Sequence, residues 1–243
     1  MNQEIGFFYT VYKEKRAIEY SLEQLRMHYP YAPIYMVSDG GLDFSYLEAQ
    51  YSNMKTVYEE DTMSNTFKIT GAPNGNWKEE THQKVIQKAA KSVLNRLYNA
   101  ISYLQTDYIL MLDPDALVRG KLTIPSGAKL LGSRINKGFP KEYKDILANT
   151  EGALIIDEWG ATPCIFEVKS FLKAYNFINE HLDIFDQFCL SFYAMYAHDV
   201  LLPTLFALIG IEETFNPDII ECQRDSQWRN KSNPLVHQFK YYY

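Results

Sequence analysis

Along the first half of the chain, short unbroken apolar runs alternate with longer stretches in which apolar residues return every three or four positions. "IGFFYTV" (Ile5 to Val11) has the length and content of a buried strand. After it, Ile18, Leu22, Leu25 and Tyr29 fall on one helical face at spacings of four, three and four. Pro30 and Pro33 end that helix, because proline offers no N–H and clashes with the preceding turn. "IYMVSDGG" (Ile34 to Gly41) predicts a second strand that breaks at Asp39, where the two glycines permit a sharp turn, and "MKTVYEE" predicts a third. The polar, glycine-containing stretch "KITGAPNGNWKEETH" (Lys68 to His82) interrupts this rhythm. A long helix follows, with Val85, Ile86, Ala89, Ala90, Val93, Leu94, Leu97 and Ile101 in one broad apolar stripe. It delivers the chain to "YILMLDPDALV" (Tyr108 to Val118), an apolar strand that ends in two carboxylates.

Strand and helix in strict alternation predict an α/β fold with a mostly parallel twisted sheet flanked by helices and a Rossmann-like, nucleotide-binding amino half. In such open sheets the ligand crevice lies beyond the carboxyl ends of the strands, so Thr10, Val11, Tyr12, Asp39 and the Asp-Pro-Asp segment are expected on one edge. Beyond residue 125 or so the alternation loosens. "KLLGSR", "ALIID" and "CIFEV" read as strands, with helices over Ser170 to Glu180 and from about Asp183 to Ala207. No linker-like tract separates the halves, so residues 1–243 read as a single domain, with a nucleotide-facing half over about 1–125 and an acceptor-facing half over about 126–243.

Composition narrows the partners. A net charge of −6 argues against nucleic acid, whose phosphates call for a basic surface. The three cysteines, Cys164, Cys189 and Cys222, are odd in number, widely spaced and without a CxxC pair, which suggests neither a disulfide framework nor a zinc site and suits a reducing cytoplasm. Ile5 to Val11 is too short to cross a bilayer and has no basic leader before it, so a cytoplasmic protein with no membrane insertion is expected. The 19 tyrosines supply flat faces with a hydroxyl, suited to stacking on bases or sugar rings as well as to an aromatic core.

The chemistry centres on Asp113 and Asp115. One residue apart in extended backbone, they point the same way, while Pro114 biases Asp113 away from helix. Two converging carboxylates repel unless a positive charge sits between them, and hard oxygen ligands favour Mn²⁺ or Mg²⁺ completed by substrate phosphates. The plainer reading is an acidic turn facing water.

An apolar strand that ends in DxD, preceded by an "SDG" turn after the second strand, resembles the nucleotide-sugar glycosyltransferases of the GT-A fold. In that family the DxD carboxylates bind the donor ribose and a divalent metal on its diphosphate, and the acidic residue after the second strand often contacts the base. The resemblance implies these roles for Asp113 and Asp115, and for Asp39, with Tyr12 stacking on the base and Thr10 and Val11 lining its pocket. "LVHQFK" looks like the family's terminal segment, which implies His237 on the metal and Lys240 on the diphosphate. "YAHDVLLPTLFALIG" (Tyr196 to Gly210) is similar to the acidic motif of inverting members, often two acids at a helix start, with His198 in the first place and Asp199 as the base for the acceptor hydroxyl. An ordinary helix cap explains Asp199 equally well. "IIDEWGATPCIFEVKSFLKAY" resembles the segment beneath the donor sugar: Gly160 and Ala161 for close approach in a turn, Trp159 stacking on the sugar, Asp157 and Glu158 binding its hydroxyls or acting as an alternative base. The closing "KPW" of the retaining pattern is absent.

The implied activity is transfer of a sugar from a nucleotide-sugar donor, with uridine as the first choice of base, to a glycan or other hydroxyl-bearing acceptor, with inversion. Lys68 to Trp77 would form a lid over the donor. One rival is a phosphotransferase of the haloacid dehalogenase type, whose strand-end DxD comes early in its domain and has Thr or Val where this chain has Leu117. The other is a noncatalytic module that keeps the donor cleft.

Overall fold

The computed structural model describes residues 4–70, 78–221 and 232–237. Its main sheet has seven strands in the order β3-β2-β1-β4-β7-β6-β8. These are β1 (Ile5–Val11), β2 (Ile34–Asp39), β3 (Met54–Glu59), β4 (Tyr108–Leu112), β6 (Leu130–Gly138), β7 (Glu158–Glu167) and β8 (Thr214–Phe215). The first four run parallel and only β7 opposes its neighbours, pairing Met111 with Cys164 on one side and Gly132 with Cys164 on the other. Because β2 and β4 both flank β1, the strand order reverses direction there, and in open sheets of this kind the ligand crevice lies at that point, beyond the carboxyl ends of β1 and β4. Register places Tyr9 opposite Leu112, so Thr10 and Asp113 each follow the last pair between the two strands.

Two cores cover the sheet. On one face, α1 (Lys15–His28) buries Ala17, Ile18, Ser21, Leu22 and Leu25, the stripe expected from the spacing. On the other, α3 (Glu80–Leu104) buries Ile86, Ala89, Ala90, Val93, Leu94, Leu97, Ala100 and Leu104 against Phe8, Val37, Ile109 and Met111. Each buried leucine here contributes about 2 kcal/mol by leaving water. The same core takes in α4 (Lys141–Ala148), α5 (Val168–Glu180), α6 (Leu182–Ser191) and α7 (His198–Leu208).

Two sequence expectations change. "ALIID" (Ala153 to Asp157) is not a strand; it is the loop that carries the chain from α4 to β7. The single helix expected over Asp183 to Ala207 is broken where Phe192 (φ −148°, ψ 120°) and Ala197 (φ −82°, ψ 132°) adopt extended backbone around a short 3-10 turn, Tyr193–Tyr196. Phe192 packs edge-on against Phe139, Tyr143 and Tyr193, and an apolar spacing cannot reveal that an aromatic cluster will outweigh helix continuity. Of the stretch expected as a lid, Lys68 to Thr70 complete α2 (Met63–Thr70), and 71–77 lie outside the described residues.

A second, small sheet was not anticipated. β5 (Ala116–Val118) and β10 (Leu235–His237) pair antiparallel, and β10 pairs parallel with β9 (Ile219–Glu221). It folds the carboxyl end back against the segment that follows the acidic pair. Among the described residues, no helix is long and apolar enough to cross a membrane.

Candidate metal and donor site

The Asp-Pro-Asp segment is a turn rather than extended chain. The Ala116 N–H donates to the Asp113 carbonyl at 3.0 Å, closing a four-residue turn with Pro114 in the second place, where its fixed φ is already suited. A tight turn brings the two carboxylates together as the expected strand alternation would have done, by a different route. The turn is anchored from below by a buried chain: Tyr9 Oη donates to Ser21 Oγ at 2.9 Å, and Ser21 Oγ donates to the Ala116 carbonyl at 2.7 Å. Ladder pairing of His237 opposite Ala116 then sets the imidazole beside the turn.

The outcome is a compact donor set. One ligand atom each from Asp113, Asp115 and His237 lie within 4.8 Å of one another. His237 Nε2 is 3.4 Å from Asp113 Oδ2 and 3.3 Å from Asp115 Oδ1. Asp115 and His237 are buried, whereas the Asp113 side chain is 24% exposed, so the set opens toward the crevice. Two carboxylates and one imidazole at these spacings fit Mn²⁺ or Mg²⁺ with room for waters or phosphate oxygens.

A second histidine joins from α7. His198 Nε2 lies 3.3 Å from Asp113 Oδ1. Burial raises the Asp113 pKa, but His198 and His237 outweigh it and hold the carboxyl well below the usual range. Burial likewise lowers His198, yet the adjacent Asp113, with Asp199 behind it, leaves its pKa above the ordinary value.

Among solved structures, the chain is similar to an active-site mutant of LgtC, with a TM-score of 0.50 and 12% identity over 95% of this chain and 86% of that one. This chain has the GT-A fold. It is also similar to galactosyltransferase LgtC in complex with donor and acceptor sugar analogs, at a TM-score of 0.44 and 14% identity over the same shares of the two chains. Identities this low speak to architecture. No protein family and no curated protein matches the sequence.

Within the GT-A frame, Thr10 and Val11 end β1 at the crevice, as expected, and Tyr12 follows with its carbonyl accepting from the Leu42 N–H at 2.7 Å. That loop is tight: a Cβ on Gly41 would fall 1.8 Å from the Tyr12 carbonyl oxygen, and Gly40 has φ +72°. Lys13 Nζ sits 4.6 Å from the centre of the Tyr12 ring.

Asp39 is corrected. It ends β2 at the crevice edge, but its carboxylate is turned inward and is 4% exposed, accepting from Arg96 Nη2 at 2.7 Å, from the Thr62 N–H at 2.9 Å and from the Met63 N–H at 3.2 Å. Arg96 Nε also holds Glu59 at 2.6 Å. Asp39 thus starts α2 and neutralises a buried guanidinium, and both its oxygens are committed before any base arrives. Arg96 is a charge on the otherwise apolar face of α3, which was the available sequence signal.

The segment expected as a small-residue turn is also corrected. Trp159 and Gly160 lie within β7, whose Trp159 pairs with Lys137 of β6. Since Met111 and Cys164 form the last pair between β4 and β7, and β4 ends at Leu112, residues 158–162 of β7 run past the carboxyl end of β4. Asp157 is 78% exposed and bound to Lys144 Nζ at 2.6 Å, and Glu158 is exposed at the start of the strand. Asp199 occupies the first turn of α7, where its charge suits the helix dipole, next to His198. Lys240 lies outside the described residues.

Glu213 was missed altogether. Its Oε1 sits where a Cβ of Gly132 would be, 1.7 Å from that position, so the carboxylate lies on β6 beside Cys164. Burial, then Glu213, Asp113 and Asp199, push the Cys164 thiol above its ordinary pKa. A glutamate in an irregular segment carries no periodic signal that would single it out.

Proposed function

We propose that the protein is a metal-dependent glycosyltransferase that moves a sugar from a nucleoside diphosphate sugar, uridine-linked as the first choice, to a hydroxyl of a glycan or similar acceptor. The observation that carries this reading is the Asp113, Asp115 and His237 set at the switch-point crevice of a GT-A fold. A bound Mn²⁺ or Mg²⁺ supplies Lewis-acid stabilisation of charge on the departing diphosphate. Asp113, Asp115 and His237 hold that ion. Lys13 takes one face of Tyr12, so base stacking falls to the opposite face, with Thr10 and Val11 at the pocket wall. Lys240 pairs with diphosphate oxygens. Asp157, Glu158, Trp159 and Gly160 bind the donor sugar, a role supported by the course of β7 beyond its last residue paired with β4. Asp199 accepts the acceptor proton, which in a single displacement inverts the anomeric centre.

The haloacid dehalogenase alternative loses ground because the acidic pair follows the fourth strand of the chain and Leu117 is a buried residue of β5. A thermal-shift panel of nucleoside diphosphates and nucleotide sugars, with and without Mn²⁺, tests the proposal. A Mn²⁺-dependent shift selective for one base is expected in the wild type and is lost in Asp115→Ala. No Mn²⁺-dependent shift with any nucleotide would remove the proposal. Proton NMR of the product reads the anomeric configuration, and retention would take the base role from Asp199.

A further inference from the structure

The two oxygens of Asp113 face different partners. Oδ2 looks toward His237, on the side of Asp115, while Oδ1 is met by His198 Nε2 at 3.3 Å. His198 stands outside the set of Asp113, Asp115 and His237, whose ligand atoms gather within 4.8 Å. It comes from the other half of the chain. Ala197 adopts extended backbone and its carbonyl accepts from Val200 and Leu201, which starts α7 at His198 and fixes the ring at the helix entrance rather than midway along a longer helix. The α7 body is anchored in the core by Val200, Leu201, Leu202, Leu205 and Phe206, all buried. A rigid helix therefore presents one N–H donor to one oxygen of a carboxylate that rides on a turn. Left alone, a turn aspartate samples several rotamers, and a cation that needs one orientation must pay for fixing it; a hydrogen bond to the far oxygen removes that cost beforehand.

We infer that His198 is the positioning residue of the cation site, its Nε2–H fixing Oδ1 of Asp113 so that Oδ2 faces the ion together with Asp115 and His237. The inference rests on the metal-dependent reading above and deepens it: a helix of the carboxyl half sets the geometry of the donor half's metal ligand. The role needs a donor at that point and not a histidine as such.

Mn²⁺ titration by calorimetry of the full chain, wild type against His198→Ala and His198→Gln, tests this, with pulsed EPR counting nitrogen ligands on the bound ion. His198→Ala is expected to bind Mn²⁺ about 10–100-fold more weakly, the range for lost hydrogen-bond support of a ligand. His198→Gln, whose amide N–H reaches the same oxygen, is expected to recover most of that loss, and every variant should show one imidazole nitrogen on the metal. Unfolding midpoints in EDTA verify that the variants are folded. Undiminished affinity in His198→Ala, or equal losses in Ala and Gln, would overturn the inference alone. Two nitrogens in the wild type falling to one in His198→Ala would overturn it too, by making His198 a ligand. A wild type that binds neither Mn²⁺ nor Mg²⁺ would instead remove the metal-dependent reading itself.

Discussion

Two acidic clusters sit at strand ends on the same edge of the sheet, either side of β1, and they have opposite characters. Asp39 and Glu59 close β2 and β3 around Arg96, a cation that the chain brings from its own helix and buries to 2% exposure. Asp113 and Asp115 close β4 around histidines and a partly open crevice. In the first, charge is matched inside the fold and the remaining acceptors are spent on backbone N–H groups of α2. In the second, two carboxylates converge and the cationic partners at short range are imidazoles, His198 and His237, rather than a guanidinium. Carboxylates at strand ends are thus equivalent in sequence, and what separates scaffold from site is whether α3 delivers a guanidinium.

Removing the internal cation should be the most damaging change. Arg96→Met strands two carboxylates, one of them buried, and is expected to cost about 3–5 kcal/mol in urea unfolding. Survival of wild-type stability would mean that the Asp39 cluster is no scaffold. Asp115→Ala should do the reverse. Its loss of stability in EDTA is expected to be smaller than that of Arg96→Met, while Mn²⁺ affinity falls by more than about 100-fold, beyond the loss expected for a supporting residue. Asp39→Asn keeps an acceptor for only one of the Thr62 and Met63 N–H groups, turns an N–H donor toward the other and forfeits one charge against Arg96, for an expected cost of about 1–3 kcal/mol with nucleotide affinity unchanged. A folded Asp39→Asn protein that no longer binds nucleotide would return Asp39 to the base.

The smallest effect belongs to a third, half-exposed pair, Lys129 Nζ with Glu167 at 2.7 Å. Burial raises the Glu167 pKa, but Lys129 and a hydrogen bond from Ser170 outweigh it and leave the carboxyl below its usual value. A depressed folded pKa means that this contribution is present above the unfolded pKa, about 4.3, and is lost as pH falls through the folded value. Thermal unfolding of Glu167→Gln against wild type should therefore differ slightly above pH 5 and converge in acid. Solvent screening keeps that difference small.

The elements that periodicity can see were legible. The face of α1 carrying Ile18, Leu22 and Leu25, the stripe of α3 and the apolar runs of β1, β2 and β4 are each dictated by side chains a few positions apart. The strand-end position of Asp113 and Asp115 was legible for the same reason. The role of Asp39 was not, because its partner Arg96 is 57 residues away and nothing local announces the pairing. Nor was the break at Phe192 legible from spacing, and although the resemblance implied a helix start at His198 and Asp199, nothing in the sequence put His198 within reach of Asp113.

The chain by itself determined that a parallel α/β sheet would form and that acidic groups would emerge at its carboxyl edge, since both follow from local alternation of apolar and polar residues. Only the tertiary structure decided which carboxylates would be neutralised internally and which would be left converging. That choice depends on side chains from distant segments, the guanidinium of α3, the imidazole of β10 and the imidazole of α7, meeting at short range, where electrostatic and hydrogen-bond energies are decided.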